Sequence, residues 1–144
     1  NGPAATQPEP LQWPLPSYTE LSMVFGTRVH PITGRTTSHD GVDVPAPSGT
    51  PVLAATSGQV AEAGWDESDG NYVLLAHDGD RTTRYGHLAS VSVAAGDAVS
   101  AGQTIGTVGA TGMATGAHLH LELTVEGVLT DPLEAYPSMT FSYR

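Results

Sequence analysis

Two short motifs hold the side chains best suited to chemistry. His118-Leu119-His120 opens the run HLHLELTVEG, in which Leu119, Leu121, Leu123 and Val125 alternate with His118, His120, Glu122 and Thr124. In a strand of period two the leucines face a core and both histidines face the other way, their Cα atoms about 6.6 Å apart. One imidazole can then hold a metal ion while the other reaches water beside it; two polar residues on the wet face of a half-buried strand give the same pattern. The second motif is His39-Asp40-Gly41-Val42-Asp43. Gly41 within it, and Pro45 and Pro47 just after, oppose a helix and predict a loop running into a strand. A neutral imidazole and a carboxylate suit zinc. With one further histidine they make three protein ligands and leave a fourth position for water, the arrangement of catalytic rather than structural sites. Alone, an HxxxD spacing also describes a solvated polar loop.

His87 stands in Arg84-Tyr85-Gly86-His87-Leu88, at the end of a predicted strand. A histidine there is commonly a surface residue, but Gly86 admits close approach of a ligand or backbone. A metal hydrolase also needs a further donor at the developing oxyanion. His77, beside the turn Asp78-Gly79, and His30, before Pro31, read as structural. Glu122 shares the strand face of His118 and His120, where it either orients one of them through its second ring nitrogen or sits in solvent.

These side chains need a rigid scaffold, and the pattern that supplies it is β. Gly or Pro, 17 and 11 of the 144 residues, interrupts nearly every window long enough for a helix. Strands are predicted over 23–25, 41–44, 52–55, 58–63, 71–77, 81–87, 104–108 and 118–125. Asp78-Gly79 predicts that the fifth and sixth of these form an antiparallel hairpin, while PSMTFSYR after Tyr136 shows no element. GTPVLAATSGQV and GDAVSAGQTIGTVG echo one another as short strands punctuated by glycine, a texture that suits a compact barrel or sandwich with sharp corners. Lipoyl and biotinyl carrier domains share that texture, but they carry their cofactor on a lysine and this chain has none.

Composition narrows the chemistry further. The length fits one domain. The five cations are all arginine and stand against fifteen Asp and Glu, a net charge of −10. This excludes charge-driven binding of nucleic acid or an anionic membrane. With no cysteine, disulfides and thiolate sites are excluded and His, Asp and Glu remain as metal ligands. No run approaches the apolar length of a membrane helix, and no signal peptide is visible. The opening NGPAATQPEP reads as the end of a linker or a boundary, with a signal or anchor expected upstream. The expected organisation is therefore a linker over 1–17, one domain over 18–136 and a tail over 137–144.

Together, the pieces resemble the lysostaphin-like, LytM-type zinc metalloendopeptidases that cleave peptide bonds in bacterial peptidoglycan. The resemblance runs in order through Phe25-Gly26-Thr27-Arg28-Val29-His30-Pro31, HDGVD, Gly49-Thr50-Pro51-Val52, Tyr85-Gly86-His87-Leu88, Gly102-Gln103-Thr104-Ile105-Gly106, Thr111-Gly112 and Thr115-Gly116-Ala117-His118-Leu119-His120 to Asp131-Pro132. It implies zinc held by His39, Asp43 and His120 and two catalytic histidines, His87 and His118. Strand geometry holds His118 beside the ligand His120 and so suits it to the general base, with His87 as donor to the oxyanion or the leaving amine, two roles open to exchange. The resemblance also implies an all-β fold, a compact antiparallel sheet of sandwich and barrel character with a substrate groove. Ala114 stands where the family usually has serine, Ala117 where it has proline and Leu121 where Phe is common. All five motif residues are present, unlike in the family's degenerate amidase activators. The only asparagines are Asn1 and Asn71, which disfavours a latent form blocked by an upstream asparagine. The resemblance further implies an extracytoplasmic monomer acting on peptidoglycan peptide stems, and the RVHPITG stretch points to the D,D cross-link over glycine bridges. A non-catalytic wall-binding module is the alternative class. Affinity for an anionic wall would come from the groove, from Arg28, Arg35 or Arg84 near it, or from outside this chain.

Overall fold

A computed structural model describes residues 10–29 and 31–143; His30 lies outside them. Thirteen strands account for the regular structure of these residues: β1 (Glu20–Leu21), β2 (Gly26–Val29), β3 (Thr36–His39), β4 (Val42–Pro45), β5 (Pro51–Leu53), β6 (Gly58–Asp66), β7 (Gly70–His77), β8 (Arg81–Val91), β9 (Ala98–Val99), β10 (Thr104–Val108), β11 (His118–Val125), β12 (Val128–Thr130) and β13 (Ser142–Tyr143). One 3-10 turn, Pro132–Ala135, is capped by the Asp131 side chain, and no α-helix occurs among the described residues. The expected all-β class is what forms.

Nine strands make one antiparallel sheet in the order β12-β11-β8-β7-β6-β9, with β4 on β11, β10 on β8 and β5 on β10. The β7–β8 hairpin closes through Gly79 and Asp80 at φ 78° and 53°, as the Asp-Gly signal predicts. β8 is the long spine. Arg81 to Gly86 pair with β11, and Leu88 to Val91 pair with β10, so the strand changes partner at His87. β11 is shared likewise: His118 to Leu121 pair with β4, and His120 to Val125 with β8.

The alternation in β11 resolves as expected on its apolar side. Leu119, Leu121 and Leu123 are buried with Val42, Val44, Val73, Leu75, Ile105 and Val108, and removal of this apolar surface from water drives the sheet's formation. Tyr85 lies fully inside, and its hydroxyl accepts from the Ala55 amide at 3.0 Å and bonds Thr83 Oγ1 at 2.7 Å. Thr83 in turn bonds His77 Nε2 at 2.8 Å, and His77 Nδ1–H donates to the Ser57 carbonyl. His77 is thus a satisfied core residue, and burial pushes the Tyr85 phenol up to about 12.

Three expectations need correction. The hairpin of β2 and β3 takes the place of a strand at 23–25, where only Met23 makes a single bridge, to Asp43. Leu11, Trp13 and Leu15 belong to the core, so the packed body begins before residue 18. Trp13 meets Tyr136 and Phe141 edge-on at 5.1 and 4.9 Å, an arrangement aromatic quadrupoles favour. β13 lies in the segment after Tyr136 and pairs in parallel with β1, so the C-terminal segment closes onto the N-terminal one.

Candidate metal centre and cleft

The site is a row across three strands. Asp43 of β4 faces His120 of β11, and His120 faces Gly86 of β8, one residue before His87. His39 ends β3 and enters the row through the turn of Asp40 and Gly41. A side chain on Gly41 would collide with the Leu121 carbonyl, so glycine is the residue that lets this turn lie against β11. His118 lies two residues before His120 on the same face.

These placements bring the donor atoms together. His120 Nδ1 is 2.8 Å from Asp43 Oδ1, and His39 Nε2 is 3.5 Å from the same oxygen. His39, Asp43 and His120 offer ligand atoms that all lie within 4.8 Å of one another. A second group of this kind, Asp69, His120 and Glu122, reuses His120, and its Asp69 carboxylate already accepts from Arg84 Nε at 2.7 Å. The first group is therefore the one with donors to spare.

Each ring is oriented by its other nitrogen, as metal-binding imidazoles generally are. A carbonyl can only accept. His39 therefore carries its proton on Nδ1, donated to the Gly41 carbonyl at 2.6 Å, and turns the Nε2 lone pair to the group. His120 Nε2–H donates to Glu122 Oε2 at 2.9 Å, which leaves Nδ1 for a metal. His87 and His118 donate from Nδ1 to the carbonyls of Thr111 (2.6 Å) and Gly116 (2.9 Å), so both keep Nε2 for the cleft. Their ring centres are 4.6 Å apart, and His118 Nε2 lies 3.5 Å from Asp43 Oδ2.

Charge follows from this packing. Burial disfavours the Asp43 carboxylate, but the His120 hydrogen bond and the field of His118, His120 and His39 outweigh it and lower its pKa. Burial likewise disfavours the His120 imidazolium, yet its bonds to Asp43 and Glu122 raise it to about 10. Without a metal His120 is thus a cation between two carboxylates. At His87 burial prevails over the Thr111 carbonyl and lowers the pKa, holding that ring neutral.

All five sequence-predicted residues line one cleft of about 330 Å³, with Ser38, Asp40, Asp69, Glu122 and the 113–115 loop completing it. Arg84, expected to lend the groove positive charge, is instead spent on Asp69 and Asp66, each at 2.7 Å. Asp69 is the residue that sequence reasoning misses, since it lies in a polar loop without periodicity. The signal for Glu122 was present, because HLHLE places it beside His120 on one face.

An antiparallel β-sheet carrying a His-Asp-His donor group in an open cleft, with two further histidines beside it, defines a metal-dependent hydrolase class of site. Residues 37–132 match the sequence profile of peptidase family M23, and the chain belongs to this family. It is 45% identical over 105 residues to the peptidoglycan DD-endopeptidase ShyC of Vibrio cholerae, covering 73% of this chain and 24% of that protein. It is 41% identical over 116 residues to the DD-carboxypeptidase/endopeptidase Mpg of Neisseria meningitidis, covering 81% and 27%. The chain thus spans about a quarter of the length of these curated relatives. Among solved structures it resembles a zinc-containing peptidase from Vibrio cholerae, with TM-score 0.79 and 35% identity over 85% of this chain and 39% of that one. It also resembles the catalytic domain of lysostaphin from Staphylococcus simulans, with TM-score 0.75 and 35% identity over 86% and 96%.

Proposed function

We propose that this domain is a zinc-dependent endopeptidase that hydrolyses peptide cross-links of bacterial peptidoglycan outside the cytoplasm, at the D,D bond. The observation that carries this reading is the convergence of His39 Nε2, Asp43 Oδ1 and His120 Nδ1 beside two histidines that present free Nε2 atoms. Two neutral imidazole nitrogens and one carboxylate oxygen are a donor set that fits zinc and leaves a fourth position open. Zinc held there supplies Lewis acidity, which acidifies water and polarises the scissile carbonyl.

The chain's own residues move the protons. His118 Nε2 is placed to take a proton from the attacking water, beside the metal group and 3.5 Å from Asp43 Oδ2. His87 donates to the oxyanion or the leaving amine from Nε2 in its protonated form, because the neutral ring keeps its one proton on Nδ1 for the Thr111 carbonyl; its lowered pKa makes that protonated form the stronger acid. The whole set comes from one chain, which suits a monomer. Relatives named for DD-endopeptidase and DD-carboxypeptidase activity support the D,D bond, and a glycine bridge is the second reading.

Digestion of purified sacculi with direct D,D cross-links, in parallel with sacculi bridged by glycine, tests the proposal by mass analysis of the new termini. Cleavage of the first with zinc and not with chelator supports it. Cleavage only at glycine bridges moves the specificity, and intact muropeptides in both cases leave a binding module. His118→Ala and His87→Ala should keep zinc yet each lose about 10²-fold or more in turnover.

A further inference from the structure

His87 has an uncommon backbone. Its φ of 63° falls in the left-handed region that residues with a Cβ rarely take, at the point where β8 exchanges β11 for β10. Such a conformation persists only where its surroundings hold it. The hold comes from the loop between β6 and β7: the His87 amide donates to the Asp69 carbonyl at 2.5 Å. The same loop reaches the segment that accepts from the His87 ring, since the Met113 amide donates to the Ser68 carbonyl at 3.0 Å.

The turn from Asp66 to Asp69 carries no apolar side chain of its own. Asp66 ends β6 and Glu67, Ser68 and Asp69 form the loop; Asp69 alone of these four is buried. The turn's two aspartate carboxylates converge on one guanidinium. Arg84 donates from Nε to Asp69 Oδ2 and from a terminal nitrogen to Asp66 Oδ2, both at 2.7 Å. Asp66 Oδ1 accepts from the Asp69 amide at 2.6 Å, so both carboxylates are locked together. Arg84 is itself held over the Tyr72 ring at 4.0 Å, and Tyr72 donates to Glu62 at 2.7 Å. Its side chain is only 21% exposed and Asp69's 12%, so the pair is shielded from the screening that weakens surface ion pairs. A planar fork can bond two carboxylates at once in fixed geometry, which a lysine ammonium does not reproduce.

We propose that Arg84 is a positioning residue for His87: by pinning Asp66 and Asp69 it presents the Asp69 carbonyl that holds His87 in its left-handed conformation and aims Nε2 into the cleft. This rests on the peptidase reading of the site, but its first test does not require catalysis. In the zinc-loaded domain, hydrogen exchange followed by NMR should show the His87 amide exchanging much faster in Arg84→Ala than in the parent, with Leu121 and Val73 amides unchanged. On cross-linked muropeptides Arg84→Ala should lower kcat about 10²-fold, the scale for a misplaced catalytic group, with KM and zinc content as in the parent. Arg84→Lys should fall between the two, and Asp66→Asn should shift both readouts the same way if Arg84→Ala does not fold. Unchanged His87 exchange in Arg84→Ala overturns the proposal, as does a loss of kcat that comes only with loss of zinc and of the Leu121 amide's protection. A parent domain inactive on every cross-link overturns the peptidase reading instead, and His87 exchange still decides the role of Arg84.

Discussion

Nε2 of His120 lies 2.9 Å from Oε2 of Glu122, and this bond decides which nitrogen of the ring faces Asp43. Removing the carboxylate frees the ring to rotate and to carry its proton on either nitrogen. Partners of this kind are worth about 10- to 100-fold in metal affinity. Glu122→Ala should therefore weaken zinc binding by about that factor, measured by competition with a chelator of known affinity. Equal zinc affinity in the two proteins would mean that Glu122 is merely a solvated neighbour.

The same ring predicts proton release. In the metal-free protein His120 has a pKa of about 10, against 6.5 when unperturbed. At neutral pH it is therefore protonated, and a metal must displace that proton. Calorimetric titrations at pH 7 in buffers of different ionisation enthalpy should show about one proton released per zinc bound. The sign for stability is equally definite. A pKa raised on folding contributes stability that is fully present below pH 6.5 and is lost as pH rises through about 10. The chelated domain should thus lose stability across that window, as denaturant melts at several pH values would show. A flat profile there would refute the charged His120.

How much of this is legible in the sequence depends on whether the cause is local. The leucine face of β11 is legible, since period-two burial needs only the strand itself. The burial of His120 is not: the alternation predicts a wet face, and the ring is covered because β4 and β8 flank β11 and bring up Asp43 and the loop of Asp69. The β2–β3 hairpin, GTRV against TTSH, has no alternation to detect and is held by backbone pairing. Leu11, Trp13 and Leu15 do alternate, but the prolines around them carry the compositional signature of a linker. Arg84's bond to Asp69 joins a strand to a loop fifteen residues away, and no short-range pattern announces it.

His87 should titrate on the opposite side of normal from His120. Burial lowers its pKa below 6.5 and the Thr111 carbonyl offsets only part of that. A depressed histidine contributes stability above its unfolded value, and the contribution is lost as pH falls through its folded value. In NMR titrations the His87 ring proton should therefore show a midpoint below 6.5. A midpoint at or above it would mean that the ring is not desolvated as the packing requires.

Gly41 ties the metal group to the fold itself. Its Cα lies against the Leu121 carbonyl, so Gly41→Ala would drive a methyl group into that oxygen. Either the turn after His39 lifts away or the β4–β11 pairing opens, and Asp43 faces His120 only through that pairing. Relief of such a backbone clash costs on the order of 2 to 4 kcal/mol. Gly41→Ala should lower the melting temperature of the domain and weaken zinc binding together, although residue 41 has no side chain to offer the metal. Thermal melts and zinc competition on the same preparation check the coupling: a destabilised domain with unchanged zinc affinity would show that the donor group is set by the turn alone, independently of the register between β4 and β11.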